Sequence, residues 1–249
     1  MTILSWAETR SPDRRVHRAS AGLRCARYQA DGVVLAEPIG GLRVSDPERP
    51  LRGAEATWHE STGIYGFVDA PAGTRELTVT DPAGRFLPRR VRAAFPDRSD
   101  PAADPGAVAL DVAMFPAFAL PIPPGETVLW GVVRDADESP VSLAFVTITT
   151  TTTASPPRTF RGLTDVHGVY VLWLVGELAD PGPAPTRTLE AYRPRERVDP
   201  DQPWKSVPLA FESMQLLDAD FVATYELAAA VVSAGASLGR RSRIDIRFP

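Results

Sequence analysis

The sequence predicts an all-β chain of two β-sandwiches in tandem, joined by a proline-rich linker. Three observations carry that prediction. Proline occurs 25 times in 249 residues, about twice its average usage, and it lacks the N–H that helix interiors and central strands require. Short stretches of period-two alternation recur, such as Glu76-Leu77-Thr78-Val79-Thr80 and Ile244-Asp245-Ile246-Arg247-Phe248, with turn residues between them. One order of signals also occurs twice. Val44-x-Asp46 is followed by Pro50-Leu51-x-x-Ala54-x-Ala56 and then Gly63-Ile64-Tyr65-Gly66-Phe67. Val133-x-Asp135 is followed by Pro140-Val141-x-x-Ala144-x-Val146 and then Gly168-Val169-Tyr170-Val171-Leu172. A shared order is the mark of a repeated supersecondary plan.

Each signal has a physical reading. The Asp of Val-x-Asp ends a strand by bonding nearby backbone amides. The proline opens the next strand, where a missing N–H is tolerated. Ala54 and Ala56, or Ala144 and Val146, then alternate toward a core. Gly63 and Gly168 supply turn geometry before strands whose Tyr65 and Phe67, or Tyr170 and Leu172, face inward. Further along the first copy come a turn at 69–73, a strand at 76–80 and the type I turn Asp81-Pro82-Ala83-Gly84. Short strand pieces at Phe86-Leu87 and 91–93, a polar loop at 97–106 and a closing strand at 108–112 follow. These bound a first module at 24–114, preceded by an N-terminal arm at 1–23.

Residues 115–126, FPAFALPIPPGE, read as a semi-rigid extended linker or an arm that docks on a neighbour. The second module, 127–249, opens with a strand at 128–133. Five threonines, Thr149 to Thr153, favour strand over coil and predict an extended hairpin arm. A strand at 188–192 lies between proline-rich loops. Residues 213–219 suggest a helical turn and 221–227 a strand. Arg240-Arg241-Ser242-Arg243 reads as a solvated turn before a final strand at 244–248.

Composition narrows the function. The net charge of −4 and the mixing of acidic with basic residues give no case for nucleic-acid binding. One cysteine, Cys25, rules out an intramolecular disulfide and a thiolate cluster. Arg24 and Arg27 flank it and would favour a thiolate, but a lone cysteine near a first strand reads as inert. His59-Glu60 lacks the second histidine of a zinc-protease helix. Asp165-x-His167 has the residues of a metal ligand or a base, yet its place before a glycine reads as a turn. Asp135-x-Asp137 starts like a calcium loop, but Pro140 and Val146 stand where glycine and glutamate are needed. No catalytic residue, cofactor site or metal site is therefore expected. Trp58, Trp130 and Trp173 fall in strand-like stretches and read as core, whereas Trp204 lies in a loop and is a candidate exposed anchor. The N-terminal residues lack a signal-peptide pattern, and no apolar stretch reaches the ~18 residues of a membrane span. The expectation is a chain made in the cytoplasm, without a membrane span, and released, if at all, within a particle.

Val133-x-Asp135, Pro140-Val141-x-x-Ala144-x-Val146 and Thr164-Asp165-x-x-Gly168-x-Tyr170 resemble the carboxypeptidase regulatory-like domain over roughly residues 126–230. The segment 24–114 is similar through Gly63-x-Tyr65-x-Phe67 and Pro71-Ala72-Gly73, with Ser61-Thr62 in place of Thr-Asp. The resemblance implies an Ig-like or transthyretin-like Greek-key sandwich serving as an accessory module without catalytic residues. The stretch from Pro121 into Gly131-Val132-Val133-Arg134-Asp135 is similar in style to proteins of phage-tail-like contractile injection particles. The function expected is a non-catalytic structural protein of such a particle. It would contact other protein subunits, or further copies of itself, through Phe115, Phe118, Leu120, Ile122, Thr150, Thr152 and Trp204. A carbohydrate- or surface-binding accessory protein is the alternative, and a hydrolase using Asp165 and His167 the remote one.

Overall fold

A computed structural model of the chain describes residues 19–28, 37–48, 55–68, 70–96, 109–151, 157–175, 186–196, 225–233 and 241–249. Among these residues the fold is all-β, with fifteen strands and no helix. The expected helical turn at 213–219 lies outside the described residues.

The first half contains β1 (Ala19–Arg27), β2 (Arg43–Ser45), β3 (Thr57–His59), β4 (Ile64–Val68), β5 (Gly73–Thr80), β6 (Arg89–Phe95) and β7 (Ala109–Met114). They form two sheets, β3-β4-β1-β7 and β2-β5-β6. Alternate residues of both sheets meet in one core: Leu23 and Cys25, Tyr65 and Phe67, Leu77 and Val79, Val91 and Phe95, Val112 and Met114. The second half contains β8 (Thr127–Arg134), β9 (Phe145–Thr151), β10 (Arg158–Leu163), β11 (Val169–Leu174), β12 (Thr186–Pro194), β13 (Tyr225–Ser233), β14 (Arg241–Arg243) and β15 (Ile246–Arg247). Its sheets are β10-β9-β12-β13 and β11-β8-β14, with β15 also on β8. Leu129, Val133, Val146, Ile148, Tyr170, Leu172 and Leu189 fill its core.

The two halves share one plan. The first strand of each is central, antiparallel to the strand carrying the Gly-x-Tyr signal and parallel to the last strands. In one half β1 pairs with β4 and β7; in the other β8 pairs with β11, β14 and β15. The Gly-x-Tyr signals are thus true equivalents. The Val-x-Asp signals are not, because Val44 lies on β2 beside β5 whereas Val133 ends β8. The structural counterpart of Pro140-Val141-x-x-Ala144-x-Val146 is Pro38-Ile39-x-x-Leu42-x-Val44. Pro38 bridges Ala26 as Pro140 bridges Arg134. Ile39 N donates to Cys25 O and Val141 N donates to Val133 O, at 2.8 and 2.9 Å. The third residue after each proline has positive φ, +77° at Gly41 and +56° at Leu143. That left-handed residue delays the expected strand, so β9 starts at Phe145 rather than at Pro140.

The glycines explain why the motif is tight. Gly63 and Gly168 have φ of +67° and +73°, a region that a side chain disfavours. A Cβ on Gly63 would stand 2.5 Å from the Pro38 ring, and one on Gly168 2.6 Å from the Val133 carbonyl oxygen. Thr164 locks the same corner, donating to Val141 O at 2.7 Å and accepting from Ala144 N at 2.8 Å.

Several expectations at the level of single elements change. Thr149 to Thr151 lie on β9 as the strand preference of the run predicts, with Thr149 opposite Thr159, but β9 sits between β10 and β12 rather than projecting as an arm; Thr152 and Thr153 lie outside the described residues. The final strand is split, and Arg241–Arg243 is itself a strand on β8 rather than a solvated turn. Gly131 causes the split: the Ile244 carbonyl comes so close that a Cβ there would sit 1.8 Å from it. The Asp245 carboxylate then replaces a backbone acceptor, taking the Val132 N–H at 3.0 Å. Phe86 forms a single bridge to Pro116 instead of a strand.

Gly168→Ala is expected to lower stability by about 3 kcal/mol or more, since backbone strain and a clash with fixed backbone combine. Gly84→Ala, with φ of +67° but open space around it, is expected to cost only about 1–2 kcal/mol. Urea unfolding of the two variants checks the difference.

Candidate interaction surface

The residues between β7 and β8 are held against the chain itself. Phe115 is fully buried, packed with Tyr28, Leu87, Phe145, Leu163 and Tyr225 from both halves. Its carbonyl accepts from Leu87 N at 3.0 Å, and Ala117 N donates to Arg85 O at 2.8 Å. The chain then turns, with Leu120 N donating to Ala117 O at 3.0 Å. Leu120 and Ile122 settle on Val128, Val171 and Trp173.

That seat is the outer face of the β8–β11 sheet. The register places Val132 opposite Val169, Trp130 opposite Val171 and Val128 opposite Trp173. Leu129, Val133, Tyr170 and Leu172, on the other face, belong to the core. Both faces of this sheet are therefore apolar. Their sequence signal is the unbroken runs Val128–Val133 and Val169–Val175, since a strand with one wet face alternates. Reading only the alternating segments misses this face.

Phe118 stands at its rim, 61 % exposed, with its ring centroid 5.2 Å from that of Trp130. The Arg243 guanidinium lies 5.0 Å from the Trp130 ring. Asp245 pairs with Arg243 at 2.9 Å, and that bond with Arg243 holds the Asp245 carboxyl below the usual carboxylate range. At the far end Trp173 donates to Glu126 at 3.0 Å, and Arg27 sits 3.8 Å above its ring. A cation over an indole face is attracted by the ring quadrupole. Phe118, Trp130, Val132 and Val169 form an apolar strip at the Arg243 end of the face, with Phe118 exposed and the others partly exposed.

The remaining candidates are placed as follows. Thr150 is buried on β9 between β10 and β12. Thr152 and Trp204 lie outside the described residues. Trp58 packs on Tyr65 with ring centroids 4.7 Å apart. Asp165 Oδ1 accepts from His167 N and Val169 N at 2.8 and 2.9 Å, the work of a turn carboxylate. Asp135 does the same for Ser139 N at 3.0 Å. Cys25 faces the first core with no exposed surface. Burial pushes its thiol up to about 12, against the pull of Arg89. No group of metal-ligating side chains occurs among the described residues, and no helix there is long and apolar enough to cross a membrane.

No protein-family model matches the chain, and no curated protein matches it. Among solved structures, a 9R-lipoxygenase from Cyanothece PCC8801 is similar over 50% of this chain and 17% of its own, at 14% identity and a TM-score of 0.32. A shaft pilin, spaA of Lactobacillus rhamnosus GG, is similar over 94% of this chain and 98% of its own, at 12% identity and a TM-score of 0.28. The Bacillus anthracis TIE protein is similar over 92% of this chain and 34% of its own, at 13% identity and a TM-score of 0.26. The chain thus spans about a sixth of the lipoxygenase and a third of the TIE protein.

Cys25 is expected to resist thiol reagents in the native protein at pH 8 and to react at once in denaturant. The fold keeps this thiol neutral, whereas in the unfolded chain it ionises near 9. Its contribution to stability is therefore complete below pH 9 and is lost as pH rises toward 12. Denaturation midpoints of Cys25→Ala should fall less steeply over that window than those of the unaltered chain.

Proposed function

We propose that this chain is a non-catalytic assembly protein that docks other protein subunits on the outer face of the β8–β11 sheet. The observation that carries the reading is Phe118, a large apolar side chain 61 % exposed on an arm pinned at both ends. Soluble proteins seldom hold an apolar strip rigidly in water unless something binds it. Rigidity lowers the entropic cost of docking, and aromatic residues seated in such a strip carry most of the energy of typical interfaces. The arm that begins at Phe115 positions the contact; Phe115 itself serves as its buried anchor.

The finer reading is a subunit of a phage-tail-like contractile particle, built from two modules at 24–114 and 127–249, each of the carboxypeptidase regulatory-like kind. Two features support it: the repeated Pro-apolar-x-x-apolar-x-Val corner and the resemblance of residues 121–135 to particle proteins. Synthesis in the cytoplasm and release within the particle belong to the same reading. Sugar or surface binding has one observation in its favour, the Phe118–Trp130 aromatic pair, but Arg243 already lies over the Trp130 ring.

Phe118→Asp is expected to leave the circular dichroism and the melting temperature nearly unchanged while abolishing association. Light scattering after size exclusion, on protein purified from its native lysate, reads this directly. A wild-type chain that is monomeric and free of protein partners, with tryptophan fluorescence responding to oligosaccharides, would replace assembly with the accessory-protein reading.

A further inference from the structure

A sheet ends in open rows of backbone N–H and C=O groups, which invite pairing with another chain unless something blocks them. Most of the sheet ends here carry a block. β2 and β3 are only three residues each. β6 carries Arg89, Arg90 and Arg92, and β10 carries Arg158, Arg161 and Gly162. β7 carries Asp111, ion-paired with Arg24. β14 and β15 carry Arg241, Arg243 and Arg247, and the chain breaks between them at Asp245. β11 is uncharged but covered: Gly162 of β10 lies so near the Val171 carbonyl that a Cβ there would stand 3.0 Å from its oxygen.

β13 lacks such a block over its last five residues. It is nine residues long, against ~5–6 for a typical strand. Its one charge, Glu226, pairs with Arg193 and Arg195. From Leu227 to Ser233 it has no charge, proline or glycine. β12 occupies one edge, with a bulge at Ala228 and then a regular register of Ala229 to Ser233 against Ala191 to Arg187. No described strand lies on the other edge. Leu227, beside the bulge, is 55 % exposed.

Symmetry and the opposite end of the same sheet select the occupant. An open edge is satisfied by another strand. A strand from a different protein would itself become a new open edge. Pairing β13 with β10 of the next copy would extend head to tail without closing, and Arg158 and Arg161 oppose it. A second β13, turned about a two-fold axis, satisfies both edges with the same residues and closes the assembly. No like charges meet, because residues 229–233 carry none and Glu226 is matched by its own arginines. We propose that β13 pairs antiparallel with β13 of a second copy through residues 229–233, centred on Val231, so that the sheet β10-β9-β12-β13 continues from one copy into the other. The joined sheet has twice four strands, within the roughly ten that open sheets tolerate. This inference does not rest on the assembly reading, because the docking strip lies on the β8–β11 sheet and β13 belongs to the other sheet of that half.

The test uses the full chain purified alone, without other subunits. Light scattering at micromolar concentration should give twice the chain mass. Ala230→Lys brings like charges together across the two-fold axis and should return the chain to a monomer with its circular dichroism unchanged. Phe118→Asp should stay dimeric, which separates this inference from the assembly reading. In a Cys25→Ala background, Val231→Cys should cross-link two copies under mild oxidation, whereas Arg92→Cys on the β6 edge should not. If Ala230→Lys does not fold, the two cysteine variants still decide. A monomeric unaltered chain, a dimer that a folded Ala230→Lys leaves intact, or equal cross-linking at Arg92→Cys would each overturn the inference.

Discussion

The burial of Phe115 is the constraint on which the rest of the arrangement depends. It follows directly after β7 and packs between Tyr28 and Leu87 of the first half and Phe145, Leu163 and Tyr225 of the second. With Phe115 fully buried, the chain leaves it past Phe86 and Arg85. Two backbone hydrogen bonds fix that exit, and they determine where Leu120 and Ile122 land. Full burial of a phenylalanine is worth roughly 2–3 kcal/mol, enough to hold a proline-rich segment in one path. An extended, entropically stiff segment costs less to fix than a flexible one.

The path has consequences on both sides. Toward the seam it brings an aromatic ring beneath the buried Arg89 guanidinium, 5.1 Å from Cζ. Toward the surface it covers half of an apolar sheet face and leaves Phe118 at its edge. Trp130 and Trp173 are each steadied by an arginine, which keeps the uncovered strip in one geometry. The exposed apolar strip arises from the same burial that fastens the two halves.

Much of the architecture could be read from residue order. Tyr65, Phe67, Tyr170 and Leu172 alternate into the cores as their period requires. Gly63 and Gly168 take the positive φ that their position before a strand suggested. The strand through Thr149 to Thr151 follows from the strand preference of a β-branched run. The repeat was legible as a fact and misaligned in detail. The motif Pro-apolar-x-x-apolar-x-apolar fits residues 38–44 as well as it fits 50–56, and only sheet pairing chooses between them. A local pattern cannot distinguish two registers that both alternate correctly.

The candidate surface was legible in part. Residues 115–126 stand out for their prolines and aromatics, but nothing in their order tells a docking arm from a linker or separates buried Phe115 from exposed Phe118. By itself the sequence determined the all-β class, the doubled plan and the turn chemistry of Asp135 and Asp165, because these rest on propensities of adjacent residues. Tertiary structure decided the strand register, the split of the final strand over Gly131, the seat of the arm and the burial of Arg89. Each of these depends on which distant backbone or side chain arrives within a few ångströms, and sequence spacing does not encode that distance.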